Sequence, residues 1–318
     1  MDFNTTFIIR SIGERTEQLC KSLILEQGVS EVDLFIVREV PFSASLRKSY
    51  QIGIEQNKKW TFCVDADVLL RERAIENLLE FAKPYDESVC EIQGLVLDKF
   101  FSGPRQAGNR LYRTSLLEKV IKHIPEEGIS IRPETYTLQQ MSKIGYSHEV
   151  VPYILGIHDE EQFNYDIYRK SFVQAVKHLD RADLLVTHWK NNMDKDDDFK
   201  VALKAYSDSI LNTEEVYINS DQELYKRKFK QSGFKEKKEL NTDIISLDEV
   251  EDKINEWNID DKYYDYFPNS EGLDSDKVLW LRRLKRSVEK RGFFQTILLT
   301  ISQLFIKAGN VLGRRVPK

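Results

Sequence analysis

Two carboxylates stand one residue apart in an otherwise apolar run, WTFCVDADVLL, from Trp60 to Leu70. Read as a buried strand, the run places Asp65 and Asp67 on one face, because strand side chains alternate with a period of two. Two negative charges so close repel each other, and burying them unpaired is costly. A divalent cation answers both problems. Mg²⁺ or Mn²⁺ takes oxygen ligands, commonly one or two carboxylates together with substrate phosphates. Taken alone, Asp-x-Asp equally fits two turn aspartates capping a helix that begins near Arg71.

The elements that must position this pair are legible on either side of it. TTFIIRS (Thr5–Ser11) and VDLFIVREV (Val32–Val40) are short β-branched and aromatic runs with strand character. Between them, Leu19, Leu23 and Ile24 carry helical spacing, with Gly28 as the stop. SLRKSYQIGIEQNKK reads as a second helix leading into the Trp60–Leu70 strand, and RAIENLLEFAKPY as a third, broken at Pro84. Strand and helix in alternation predict a parallel sheet with right-handed crossovers. Further strands are expected over Ser88–Leu97 and His148–His158, with helices over Glu134–Tyr146 and Asn164–His178. In such sheets ligands bind at the carboxyl ends of the strands, where Asp65 and Asp67 fall.

A chain of 318 residues, 41% hydrophobic and 31% charged, describes a globular protein able to bury a large core. The net charge of −5 specifies no partner. Cys20, Cys63 and Cys90 lie far apart without CxxC spacing, which argues against a disulfide framework or a zinc site and makes the reducing cytoplasm the default. The opening MDFNTTFIIRS lacks a signal peptide's basic and apolar regions, and no run reaches the ~18–20 apolar residues that span a bilayer.

The order of these pieces resembles the GT-A glycosyltransferases, specifically the family-2-like nucleotide-sugar enzymes. FIIRSIGERTEQLCKSL, DLFIVREV, SLRKSYQIGI and TFCVDADVLL follow one another as the family's first strand and loop, second strand, helix and Asp-x-Asp strand do. The resemblance covers residues 5–160. It implies an α/β, GT-A (Rossmann-like), mostly parallel sheet flanked by helices, with a helical C-terminal extension. Domain limits are expected at 1–190 for the transferase domain, 191–278 for a helical extension and 279–318 for a basic segment.

The resemblance also implies a site. Asp65, Asp67 and His158 would hold Mn²⁺ or Mg²⁺, His158 because it closes the strand VVPYILGIH and a neutral imidazole suits Mn²⁺. His148 starts that strand at the far edge, while His178 and His188 read as surface or packing residues. Nucleotide and donor contacts would fall to Arg10, Ser11, Gly13, Glu14, Arg15, Glu39, Arg47, Lys48, Asp65 and Ala66. The segment RSIGERTE stands where the family has Pro and Asn, and REV stands where it has an acidic pair. Glu134, in IRPETYTLQQMSKIGY, matches the family's carboxylate at the start of a helix, and Pro133 before it favours a helix start. As general base it would take the acceptor hydroxyl's proton, a role suited to a carboxyl raised by burial. A glutamate at that position also fits a simple helix N-terminus. The partners implied are a nucleoside-diphosphate sugar, a UDP-sugar first, and a glycan or lipid-linked acceptor.

Residues 279–318 carry ten Lys and Arg against one acidic residue, Glu289, leaving −14 on the rest of the chain. Trp280, Leu281 and Leu284 sit among Arg282, Arg283, Lys285 and Arg286, and FFQTILLTISQLFI is too short to span. This pattern describes a segment lying in a membrane interface, placing the protein in the cytoplasm at the inner face of the cell membrane. A packed helix or a homo-oligomer contact are the alternatives, and no nucleic-acid groove is evident. A sugar nucleotidyltransferase or a non-catalytic nucleotide-sugar-binding scaffold of the same fold would share most of these features. The former usually opens with a Gly-rich phosphate loop, and FIIRSIGERTE has one glycine.

Overall fold

The computed structural model describes residues 3–101, 103–130, 132–177, 182–216, 222–240 and 245–256. Residues 1–177 and 185–267 form one compact unit; 178–184 and 268–318 form a second, of which only 182–184 are described. The basic segment 279–318 and His178 therefore lie outside the described residues.

In chain order the first half runs β1 (Thr5–Arg10), α1 (Glu17–Glu26), β2 (Leu34–Val37), α2 (Phe42–Gln56), β3 (Trp60–Asp65), β4 (Val68–Leu70) and α3 (Ala74–Ala82). Then follow β5 (Val89–Asp98), β6 (Gly103–Arg105), β7 (Asn109–Arg113), α4 (Leu117–Ile121), α5 (Pro133–Lys143) and β8 (Ser147–His158). Helices α6 (Asn164–Lys177), α7 (Ala182–Asn192), α8 (Asp198–Ile210), α9 (Glu223–Ser232) and α10 (Leu247–Glu256) complete the described chain.

The sheet order is β2-β1-β3-β7-β5-β8-β4, with β6 paired to β5. Strands β2, β1, β3, β5 and β8 all run one way, and the short strands β4, β6 and β7 oppose them. The mostly parallel, helix-flanked sheet expected from the sequence is thus present. Its central strands read as continuous apolar runs because both faces are covered. Phe7, Ile9, Phe62 and Val64 point to one side, against Leu19 and Leu23 of α1, Leu78 of α3 and Val250 of α10. Ile8 and Cys63 point to the other, against Leu46 and Tyr50 of α2 and Leu138 of α5.

The expected boundary near 190 falls inside α7. Helices α6, α8 and α9 share an aromatic core with Phe172, Trp189, Phe199 and Tyr225, and α10 packs on the main sheet.

One expectation is corrected. Trp60–Leu70 is not a continuous strand, because the chain turns at Ala66 and Asp67. The Ala66 N–H donates to the Arg10 carbonyl at 3.0 Å, and its own carbonyl accepts from Thr16 Oγ1 at 2.8 Å. Val68–Leu70 then leave β1 and pair antiparallel with β8. The turn separates the two aspartates, which no longer share the neighbours that strand alternation would give them.

Gly156 of β8 holds this arrangement. A Cβ there would lie 2.1 Å from the Leu69 carbonyl oxygen, a backbone atom that cannot rotate away. Gly156→Ala should therefore lose about 1–3 kcal/mol or more, as overpacking does. A denaturant midpoint that falls at constant m-value confirms it; an unchanged midpoint contradicts the β4–β8 pairing.

Candidate active site

Because five strands run in register, their carboxyl ends gather residues far apart in the chain. Arg10 ends β1 beside Asp65, which ends β3, and Asp98 ends β5 beside His158, which ends β8. The antiparallel β7 begins at the same edge, bringing Gly108 and Arg110 there. Gly108 has φ +59°, and a Cβ on it would come within 3.4 Å of both Asp65 Oδ2 and His158 Cδ2. Only glycine leaves that floor open. The resulting cleft, about 280 Å³, is lined by Arg10, Ser11, Glu14, Glu39, Asp65, Asp67, Arg105, Arg110, Glu134, His158, Asp159, Arg169 and Lys170 among others.

Two ion networks share this floor. The first is centred on Arg10, which is 3% exposed. It donates from Nε to Asp65 Oδ1 at 2.8 Å and from Nη1 to Glu134 Oε1 at 2.5 Å. Arg110 pairs with the other oxygen of Glu134 at 3.0 Å and donates to Glu91 Oε1 at 2.9 Å. Burial alone would raise the Glu134 carboxyl, but the guanidinium groups of Arg10 and Arg110 hold it below the ordinary glutamate value. The expected burial-raised base is corrected on this point. Glu91 has the opposite balance: burial outweighs its Arg110 partner and pushes it up to about 7.

The second network is centred on Asp67. Its Oδ2 accepts from Lys170 Nζ of α6, which also donates to Asp159 Oδ1 at 2.5 Å. His158 Nε2 lies 3.5 Å from Asp67 Oδ1, while its Nδ1 meets Asp98 Oδ2 at 2.7 Å and Asp159 Oδ2 at 3.1 Å. Arg105 closes the chain of charges by donating to Asp98 at 2.5 Å. Burial would lower the His158 imidazole, but Asp159, Asp67 and Asp98 reverse this and lift it to about 10. Nearby, burial and the charge of Asp67 push Glu14 up to about 7. Glu14 accepts from Ser11 Oγ and the Ile12 N–H, which shapes the first loop.

Asp67, His158 and Asp159 suit a divalent cation. One ligand atom from each lies within 4.8 Å of the others, and all three residues are buried. Asp67 Oδ1 is buried with no hydrogen-bond partner. Two carboxylates and one imidazole match the donor preference of Mn²⁺ or Mg²⁺. Asp98 at Nδ1 orients the ring so that Nε2 faces Asp67, as carboxylates behind metal-bound histidines do.

Of the residues expected at the site, Arg10, Ser11, Glu14, Glu39, Asp65, Asp67, Glu134 and His158 line the cleft. The remainder do not. Ala66 is fully buried with both backbone polar groups occupied, and Gly13 sits in the loop with its N–H on Ser11 Oγ. Arg15 is turned to Glu161 and the Lys238 carbonyl. Arg47 bonds the Ile124 carbonyl, and Lys48 is exposed. Asp65 belongs to the Arg10 network, apart from the Asp67 cluster. Asp98, Arg105, Arg110, Asp159 and Lys170 escaped sequence reasoning. The DEEQ following His158 carried a signal for Asp159, and GPRQAGNRLYRTSLLEKV, which resembles the family's acceptor-binding segment, carried one for Arg105 and Arg110. His148 does stand at the start of β8, and His188 bonds the Lys99 carbonyl.

No family model matches the sequence, and neither does any curated protein. Solved structures with a similar fold can be named. One is a glycosyltransferase involved in the glycosylation of the major capsid of PBCV-1, 16% identical over 46% of this chain and 81% of that chain, at a TM-score of 0.35. Another is the mannosyltransferase PcManGT from Pyrobaculum calidifontis in complex with GDP-Man and Mn²⁺, 11% identical over 65% and 74% of the two chains, TM-score 0.38. S. aureus TarS 1-349 is 11% identical over 64% and 71%, TM-score 0.31. At such scores these likenesses carry no functional weight, which rests on the cleft itself.

Glu91 offers a check on the first network. Folded Glu91 keeps its proton up to about 7, whereas an unfolded glutamate loses it near 4.5. Its contribution to stability is thus complete below 4.5 and lost as pH rises to about 7. Glu91→Gln lacks that titration. The melting temperature of the wild type relative to this variant should fall across that pH window. A flat difference would show that Glu91 ionises normally.

Proposed function

We propose that the protein is a metal-dependent, inverting glycosyltransferase that moves a sugar from a nucleoside-diphosphate donor to a hydroxyl acceptor. One observation carries this reading: a three-ligand cation cluster and a separate carboxylate, Glu134, face the same cleft at the carboxyl edge of the sheet. Bound between Asp67, His158 and Asp159, Mn²⁺ or Mg²⁺ would supply Lewis-acid neutralisation of the departing diphosphate. Ser11, Glu14 and Glu39 line the part of the cleft suited to the nucleoside. Arg105 and Lys170, which line the cleft where Arg47 and Lys48 do not, would meet the phosphate charge. Arg10 holds Glu134 in one orientation, from which it accepts the proton of the attacking hydroxyl. Displacement from the face opposite the leaving group inverts the anomeric carbon.

A UDP-sugar donor, a glycan or lipid-linked acceptor and a role in surface polysaccharide or glycolipid synthesis belong to the same proposal. So does attachment to the inner membrane face through 279–318.

A thermal-shift screen of nucleotide sugars with and without Mn²⁺ tests the site. The wild type should be stabilised by a donor only when Mn²⁺ is present, and Asp67→Ala should abolish that dependence. Glu134→Gln should keep donor stabilisation while turnover falls by roughly 10²–10⁴. Equal donor binding by Asp67→Ala and the wild type in Mn²⁺ would reject the cation site. Loss of donor binding in Glu134→Gln would give that residue a different role.

Liposome flotation tests the attachment. Full-length protein should float with anionic vesicles and a chain ending before Leu279 should not. Part of the binding should persist at 1 M salt, where screening shortens to ~3 Å, since apolar insertion is unaffected. Equal flotation of the two chains removes 279–318 as the anchor.

A further inference from the structure

Lys170 is bonded to two of the three residues that a divalent cation would need, Asp67 and Asp159. Its ammonium is bonded to Asp67 Oδ2 and lies 2.5 Å from Asp159 Oδ1, and its side chain is 17% exposed. The two carboxylates are buried within one cluster, so some positive charge must lie between them. The Lys170 ammonium fills that need on one oxygen of each, beside the His158 ring that faces the other oxygens. A divalent ion on the same two carboxylates would face the like charge of Nζ a few ångströms away. The two cations are alternatives.

We infer that Lys170 is a built-in placeholder for the divalent cation, bonded to Asp67 and Asp159 until the ion arrives and then released into the cleft. The inference rests on the proposal that Asp67, His158 and Asp159 form the cation site. The lysine is suited to the exchange. Its four-carbon stem is flexible, and its head is a point charge with three rotatable donors. It stands on the face of α6 that lines the cleft with Arg169, Val173 and Gln174, so a released ammonium remains within the same cavity. There its natural partner is the diphosphate of the donor. Release and capture then couple the two ligands: the cation binds against a competitor, and phosphate in the cleft removes that competitor. By linkage the cation would favour the diphosphate by the same factor. An empty site is also kept neutral, so Asp67 and Asp159 stay in place without repelling each other.

Binding of Mn²⁺ alone to the full-length chain, followed by the electron paramagnetic resonance signal of the free ion, tests this directly. Lys170→Met and Lys170→Gln should bind Mn²⁺ about 10-fold or more tightly than the wild type, within the ~5–150-fold range of ordinary coupling. Equal or weaker binding by both folded variants overturns the inference. Adding Asp67→Asn to Lys170→Met should abolish the gain. Tight Mn²⁺ binding that survives Asp67→Asn would reject the cation site itself, a different failure. A measurement on the wild type guards against misfolded variants. Acylation of Lys170 by an N-hydroxysuccinimide ester, read by peptide mass spectrometry, should rise several-fold on adding Mn²⁺. Unchanged or reduced labelling also overturns the inference.

Discussion

The buried guanidinium of Arg10 is the interaction on which the site depends. It ends the first strand, touches Asp65 at the end of the third, and reaches Glu134 at the start of α5, 124 residues further along the chain. A buried charge of this kind persists only with its partners in place, and removing one partner typically costs ~3–5 kcal/mol. The two carboxylates therefore fix each other's position through the arginine. Asp65 is committed to holding the floor, and the turn at Ala66–Asp67 leaves the second aspartate to face a different set of groups. The Asp-x-Asp pair is split between two networks, one that orients a carboxylate and one whose residues could hold a cation.

The elements of the fold were legible because they depend on local pattern. β-branched runs such as Thr5–Arg10 and helical spacing such as Leu19, Leu23 and Ile24 lie where the sequence places them. So does α5, which opens with Pro133. The break inside Trp60–Leu70 was not legible. It is made by one hydrogen bond from the Ala66 N–H to the Arg10 carbonyl and one from Thr16 Oγ1 to the Ala66 carbonyl, and nothing in an apolar run announces them. Strand β7 was equally hidden as an antiparallel insertion, because NRLYR gives no sign of its direction.

The site divides along the same line. Residues inside a recognisable stretch, Asp65, Asp67, Glu134 and His158, do line the cleft. Residues assigned by position on a helix, Arg47 and Lys48, do not, since a turn of helix decides which way each side chain faces. Asp98 and Lys170 carry no local motif, and Arg105 has only its place in the acceptor-like segment. They meet only because parallel strand ends and the first turns of α6 converge, a fact of topology that no short window of sequence contains. The lowered Glu134 carboxyl was missed for the same reason, as both arginines responsible come from other strands.

That lowered carboxyl bears on the proposed chemistry. A base held below its ordinary value is fully ionised at neutral pH, so it is always in the form that accepts a proton. It is also weak, and cannot strip a hydroxyl of ordinary acidity before attack begins. The two facts agree if proton transfer is late, after the acceptor oxygen has begun to bond to the sugar and has become acidic. The barrier then depends chiefly on stabilising the departing diphosphate. That is the end of the cleft where Asp67, Asp159 and His158 are buried and Arg105 and Lys170 stand beside them. Glu134 would take the proton late in the attack, with Arg10 setting its direction.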